Sequence, residues 1–299
     1  MEGRLWSVVL AAGTGSRLSN RTGGIPKQFW RPRGGPSLLE ETLDRLTPIC
    51  PADRTVIVVG AEQRTYVRKW PAYRRSGRVL FQPGNRGTAA GVLFGLLPVL
   101  AADPNGVVVV TPSDHGVRDA EVFRTGVLEA IAHAQFPGGA VLCGVSPSAP
   151  RPDYGWITLR PGRRGAAIHS VASFVEKPDV ETAADLLSEG AIWNTMVIVA
   201  KAQELLELCR AQVPDVTAMF DHALTLPRRE RFAFIEASYR LLAVADFSRD
   251  VLAPSRDLFA YTWPASMGWS DLGTPERLDR WLEPSAPATT LVDRAQVAL

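Results

Sequence analysis

The sequence predicts an α/β protein with a doubly wound, mostly parallel sheet and a small antiparallel addition. Three observations lead there. Short apolar runs, three of them rich in valine, recur at 5–12, 55–60, 106–110 and 140–145, each ending in a glycine or proline exit. Helical segments separate them, and that alternation yields parallel strands joined by right-handed crossovers. Past a proline-rich link, Pro147 to Pro152, two strand-like runs at 154–159 and 167–175 follow each other without a helix between them, which reads as antiparallel pairing.

Residues 5–12 are short and apolar enough for a buried parallel strand. The run breaks at Gly13-Thr14-Gly15-Ser16, where two glycines permit a sharp turn and the close approach of a ligand. Ser37-Leu38-Leu39-Glu40 reads as a capping box that opens a helix to about residue 46, with Pro48 stopping it. Residues 55–60 form the second strand. A polar, arginine-rich segment then leads through Trp70-Pro71 to a third strand at 78–82. A helix is expected at 88–100 and a fully buried strand at 106–110, ending at Thr111-Pro112-Ser113-Asp114-His115. A helix at 119–133 and a strand at 140–145 complete the first half. Ligands of such sheets collect beyond the carboxyl ends of the strands, and the glycine loop, Gln82 and Asp114 all fall there. In the second half, helices are expected at 180–188, 203–212 and across much of 214–242, and strands at 192–200 and 258–263. Thr274 caps a last helix before Pro275. One domain at 1–283 and a loose tail at 284–299 follow.

At 299 residues the chain can bury a full core, and 46% hydrophobic with 21% charged residues is the composition of a soluble globular protein. Its 33 basic residues are balanced by 31 acidic ones, so nothing in the charge favours a nucleic-acid partner. Arg74-Arg75 and Arg163-Arg164 read as solvated surface. Cys50, Cys143 and Cys209 are far apart and odd in number, which indicates neither a disulfide framework nor a zinc site. Cys143, in an apolar run, reads as core. No signal-peptide layout and no apolar stretch near the ~18 residues of a membrane span are present. A cytoplasmic protein with no membrane partner is expected.

Consecutive backbone N–H groups in the glycine turn form a nest for phosphate oxygens, and Arg17 and Lys27 add two mobile cations beside it. A Walker A loop would need Gly-Lys-Ser/Thr, which is missing. A dinucleotide fingerprint would need a third glycine where Leu18 stands and an acidic residue after the second strand. A nucleoside-phosphate site and a plain strand-to-helix turn both remain open on the loop alone. Asp114 is either a helix cap or a ligand for a hard metal such as Mg²⁺. Thr88 fits a helix N-terminus, and Gln82 can donate and accept, so it can read a base edge. Glu176-Lys177, taken alone, is surface charge at a strand end.

Leu10-Ala-Ala-Gly-Thr-Gly-Ser-Arg-Leu18, followed by Pro26-Lys27-Gln28-Phe29, resembles the opening motif of the sugar-phosphate nucleotidylyltransferases. The Pro-Lys-Gln-Phe ending is most similar to the mannose-1-phosphate guanylyltransferase branch. Six segments in the family's order span about 5 to 275. The resemblance implies a Rossmann-like, GT-A-like nucleotidyltransferase fold and transfer of a nucleotidyl group to a sugar-1-phosphate with release of pyrophosphate. GTP and mannose-1-phosphate are the favoured pair and GDP-mannose the product, though the sequence fixes neither sugar nor base.

The same resemblance assigns roles. Arg17, Lys27 and Asp114 would be catalytic. Pro112-Ser113-Asp114-His115 and Gly268-Trp-Ser-Asp271-Leu-Gly-Thr274 resemble segments whose aspartates hold Mg²⁺. Ala11, Ala12, Gly13, Gly15, Gln82, Gly87 and Thr88 would bind the nucleotide. Gly155, Glu176, Lys177 and Asn194 would bind the sugar phosphate, from segments Tyr154-Gly-Trp-Ile157, Phe174-Val-Glu-Lys-Pro178 and Trp193-Asn-Thr-Met196. Ser248-Arg249-Asp250 faintly resembles a further active-site segment. Departures from the pattern are Ala12 and Met196 in place of glycine, Gly87 in place of asparagine, and Ser19-Asn20 in place of an aromatic-proline pair. Another sugar-phosphate and nucleotide pair, a non-catalytic nucleotide-sugar sensor and a homodimeric assembly stay open. A glycosyltransferase would bring an Asp-x-Asp motif at a strand end, and none stands there.

Overall fold

The computed structural model describes residues 4–70, 73, 76–163 and 165–283. The expected tail at 284–299, Pro71, Arg74, Arg75 and Arg164 lie outside them. The strands are β1 (Leu5–Ala11), β2 (Thr55–Gly60), β3 (Arg78–Gln82), β4 (Val107–Pro112), β5 (Gly116–Val117), β6 (Val141–Val145), β7 (Gly155–Leu159), β8 (Ile168–Glu176), β9 (Ile192–Lys201), β10 (Phe259–Trp263) and β11 (Trp269–Ser270).

Nine of them form one sheet in the order β3-β2-β1-β4-β9-β6-β10-β8-β7, and β5 pairs separately with β11. β1 runs parallel to β2 and β4, and β2 parallel to β3. The antiparallel part is larger than expected, because β9 enters between β4 and β6, antiparallel to both. β6 therefore does not extend the first parallel group. It pairs instead with β10, which arrives parallel to it from much later in the chain.

The continuous apolar runs are explained by burial on both faces. Val8, Val58, Val108 and Val110 point into one core, and their neighbours Val9, Ile57, Val59, Val107 and Val109 into the other. Helix Gly87–Ala102 is buried almost all round, and Gly95 lets it press onto the sheet, where a Cβ would come 2.4 Å from Val8 Cγ1. Helix Ala120–Gln135 covers the other face, capped by Asp119, whose carboxylate accepts from the Glu121 and Val122 amides. Helix Leu38–Leu46 starts with the expected capping box between Ser37 and Glu40. Cys50, Cys143 and Cys209 are buried and unpaired, and burial pushes their thiols up, Cys50 to about 11. Among the described residues no helix is long and apolar enough to cross a membrane.

This topology brings the carboxyl ends of β1, β3 and β4 to one edge. The segments around 242–252 and 264–274 return to the same edge from the second half.

Candidate active site

Lys27 sits in a short 3-10 turn, Lys27–Phe29, whose three side chains are all buried. Its ammonium lies 3.0 Å from Asp114 Oδ2, 2.5 Å from the Asp271 carbonyl and 3.2 Å from the Leu272 carbonyl. It is therefore not the mobile cation expected from sequence: with its side chain 7% exposed, it is a fixed charge joining two loops 244 residues apart. Asp114 is not a helix cap either, because Asp119 fills that role and Asp114 lies in the turn between β4 and β5. Burial pushes the Asp114 carboxyl up, but the charges of Lys27 and His115 outweigh it and hold the group below the usual carboxylate range. Burial holds His115 below its ordinary value against the pull of Asp114.

The glycine turn packs directly on this lysine. Gly15 has φ +63°, and a Cβ there would stand 2.8 Å from the Lys27 amide nitrogen, so glycine is required twice over. Gln28, buried beside Lys27, donates to the Ala11 and Gly13 carbonyls at 2.7 and 2.8 Å, and Gln63 donates to Gly13 at 2.8 Å. These two amides hold the loop carbonyls inward, a role the sequence did not disclose. Arg17 is exposed in the turn Ser16–Leu18, and its side chain has no hydrogen bond or ion pair with a described residue.

A cleft of about 340 Å³ opens between the glycine turn and β3, with Ala12, Gly13, Gln82, Gly87, Thr88 and Asp114 in its wall. Gln82 donates its amide hydrogen to the Gly84 carbonyl at 2.8 Å, which fixes the side chain facing helix Gly87–Ala102. Thr88 is the second residue of that helix, not its cap. Its hydroxyl accepts from the Phe247 amide at 2.7 Å and donates to Asp246 Oδ2 at 3.2 Å. Gly87 has φ +83°, and a Cβ would fall 2.1 Å from the Ala245 carbonyl oxygen. The asparagine of the family pattern has no room here, because residues 245–247 are stitched onto the helix start. Asp246 enters the cleft wall by this route and was missed from sequence, since nothing local marks it.

Across the cleft, Gly155, Glu176 and Asn194 come together as expected. A Cβ on Gly155 would meet Glu176 Oε2 at 2.7 Å and Asn194 Cβ at 3.3 Å. Burial and the Asp246 charge push Glu176 above the usual carboxylate range despite Lys177, whose ammonium is 3.4 Å away. Asn194 accepts from the Met196 amide at 3.1 Å and donates to Ser248 Oγ at 3.5 Å, which brings the Ser248 segment beside these residues. Met196 keeps a glycine-like backbone at φ +62°, and Lys177 and Leu272 are also left-handed at +50° and +48°. Among the described residues, three of the five non-glycine residues with positive φ thus belong to the segments around the site, where strain is held by the surrounding packing.

Asp271 presents its two carboxylate oxygens unequally. Oδ1 accepts from the Tyr154 hydroxyl at 2.9 Å, Arg277 at 2.8 Å and the Gly273 amide at 3.2 Å, whereas Oδ2 has no such donor among the described residues. Burial, then the Asp271 charge, pushes the Tyr154 phenol up, so it remains a donor. Among the described residues no three His, Cys, Asp or Glu side chains gather into a metal cage. Asp114 and Asp271 Oδ2 instead offer two hard oxygen donors, the protein share that Mg²⁺ takes when water and phosphate supply the rest.

A glycine turn, a fixed ammonium and two carboxylates thus gather at one edge of the sheet. The chain belongs to the nucleotidyl transferase family, whose model matches residues 6–282. It is 27% identical over 282 residues to mannose-1-phosphate guanylyltransferase of Escherichia coli K12, covering 91% of this chain and 59% of that protein. To the mannose-1-phosphate guanylyltransferase of Salmonella muenchen it is 30% identical over 284 residues, covering 91% and 58%. The chain thus spans less than three fifths of the length of these curated relatives. A solved structure from Thermus thermophilus, described as a mannose-1-phosphate geranyltransferase, superposes with a TM-score of 0.82 at 28% identity, covering 95% of this chain and 80% of that one. UDP-glucose pyrophosphorylase complexed with UDP-glucose, at 16% identity and a TM-score of 0.60, shares the fold. The expected GT-A-like nucleotidyltransferase fold is present.

Proposed function

We propose that the chain makes GDP-mannose from GTP and mannose-1-phosphate, releasing pyrophosphate. The Lys27 ammonium, fixed between Asp114 and the Asp271-Leu272 carbonyls beside the glycine turn, carries the phosphate chemistry of this reading, and the likeness to mannose-1-phosphate guanylyltransferases supports the choice of sugar and base. A phosphate oxygen of mannose-1-phosphate attacks the α-phosphorus of GTP, the bond to the bridging β-oxygen breaks, and pyrophosphate leaves. The nucleophile is already ionised, so no general base is needed and rate comes from positioning and charge. Lys27 and Arg17 offset charge on the triphosphate, and the turn at 13–16 cradles it. Lys177 holds the attacking phosphate, while Glu176 and Asn194 orient the sugar over Gly155. Gln82 and Thr88 lie toward the base and ribose. Mg²⁺ held by Asp114 and Asp271 would neutralise phosphate charge. Soluble, highly charged substrates of this kind assign the protein to the cytoplasm.

The test is pyrophosphate release with Mg²⁺, crossing mannose-1-phosphate and glucose-1-phosphate against GTP, UTP, dTTP, CTP and ATP. Signal confined to mannose-1-phosphate with GTP is expected. Signal with another pair moves the specificity, and nucleotide binding without release in any pair makes the chain a sensor.

A further inference from the structure

Asp271 meets Lys27 through its backbone carbonyl, and Tyr154 and Arg277 through its carboxylate. Tyr154 and Arg277 also line a second cavity, about 240 Å³, walled by Arg118, Arg151, Arg280, Trp193, Trp269 and Trp281. Nucleotidyl transfer as derived above uses none of these six residues.

The charges in this wall are unevenly satisfied. Arg277 is neutralised by Asp271 and Asp153, and Arg118 lies on the Trp281 ring at 3.8 Å while donating to its carbonyl. Arg118 is also within electrostatic reach of Glu41. The side chains of Arg151 and Arg280 make no hydrogen bond or ion pair with any described residue. The indole N–H groups of Trp193 and Trp269 are buried and have no acceptor among the described residues, and the Trp193 residue is only 7% exposed.

We propose that this cavity is a second ligand site and that it takes a phosphate ester of a small sugar. Two uncommitted guanidiniums are the side chains best shaped to grip a phosphate group by paired hydrogen bonds. The rings of Trp269 and Trp281 in the wall offer flat apolar faces to a sugar ring. The cavity is smaller than the 340 Å³ cleft beside the glycine turn, which favours a compact ligand. Arg277 borders the cavity and holds the Asp271 carboxylate, so an occupant would touch the same residue that orients a candidate metal ligand.

Equilibrium dialysis of the whole chain with radiolabelled glucose 6-phosphate tests this, comparing the parent with the Arg151→Ala/Arg280→Ala double variant. Arg280 is exposed, and Arg151 contributes to packing through its carbonyl, which accepts from Trp156 at 2.8 Å and survives side-chain truncation. The variant should therefore melt like the parent and keep basal pyrophosphate release. Its affinity for glucose 6-phosphate should fall about tenfold or more, as loss of charged hydrogen bonds to a phosphate implies. Equal affinity in parent and variant, or no binding to the parent at millimolar concentration, overturns the site. Inorganic phosphate binding the parent as tightly as glucose 6-phosphate overturns the sugar assignment.

Discussion

Replacing Lys27 by methionine removes the ammonium while keeping most of the side-chain volume. At 3.0 Å from Asp114, and with an effective dielectric constant of about 20, the Coulomb attraction is about 5 kcal/mol. Desolvation of a lysine that is 7% exposed takes back most of that, and Asp114, 31% exposed, regains water once its partner is gone. Two backbone carbonyls also lose a charged donor. The net loss of stability should be about 2 kcal/mol at neutral pH, read from urea unfolding. Its pH dependence has a defined sign. The folded-state carboxyl of Asp114 is depressed in the parent, so its contribution is present above the unfolded value of about 3.9 and lost as pH falls through the folded value. Without Lys27, burial dominates and that contribution disappears, so the gap between the two unfolding curves should narrow in acid to the part owed to the two carbonyls. Pyrophosphate release should drop about 10²–10³-fold, the effect of losing one preorganised electrostatic donor. A variant that turns over within about threefold of the parent would remove the ammonium from the chemistry. Unfolding curves separated equally in acid and at neutral pH would refute the ion pair as the origin of the stability loss.

Three further outcomes follow from the packing. Gly87→Asn, which restores the residue of the family pattern, should destabilise by about 2 kcal/mol or more, because its Cβ meets the Ala245 carbonyl at 2.1 Å on a backbone at φ +83°; an unchanged urea midpoint would show that residues 243–246 yield freely. Gly155→Ala places a methyl 2.7 Å from Glu176 Oε2, so the KM for sugar phosphate should rise about tenfold while that for the nucleotide stays put; equal rises in both would count against a separate sugar wall. Glu176, raised by burial and by Asp246 and faced also by Lys177 and Arg249, should give kcat/KM for sugar phosphate an acid limb above the ordinary glutamate value. Asp246→Asn removes a raising charge and must shift that limb to lower pH, and a limb that stays in place would exclude Glu176 as its source.

Much of this architecture was legible because local rules fix it. Valine runs buried on both faces announced the parallel strands, the Ser37–Glu40 capping box announced a helix start, and Gly13-Thr14-Gly15 announced a backbone that something approaches closely. Gly155, Glu176 and Asn194 lie on three different strands, and only the resemblance of whole segments to a family predicted that they meet. Non-local partnerships left no such trace. β9 is as apolar as any parallel strand, and nothing in its residues tells that it runs antiparallel between β4 and β6. Lys27 looked like a free cation because the two carbonyls that hold it arrive from residues 271 and 272. Asp246 and Gln63 carry no signature at all, and their positions come from long-range hydrogen bonds to Thr88 and Gly13.

The departures from the family pattern are explained by the same long-range contacts. Met196 adopts the left-handed backbone that glycine would take without strain, and it is held there by the Asn194 side chain accepting from its amide and by Ser248 against its sulfur. Ser248 belongs to the π-helical turn Phe247–Leu252, and the preceding residues are tied to Thr88 and to the helix behind Gly87. One returning segment therefore forbids a side chain at 87 and supports a bulky one at 196. The two substitutions are far apart in sequence, yet they meet the same short stretch, 244–252. Gly87 and Met196, both in the wall of the cleft, thus lean on one returning segment, so the effects of substituting them should be non-additive in a double-mutant cycle.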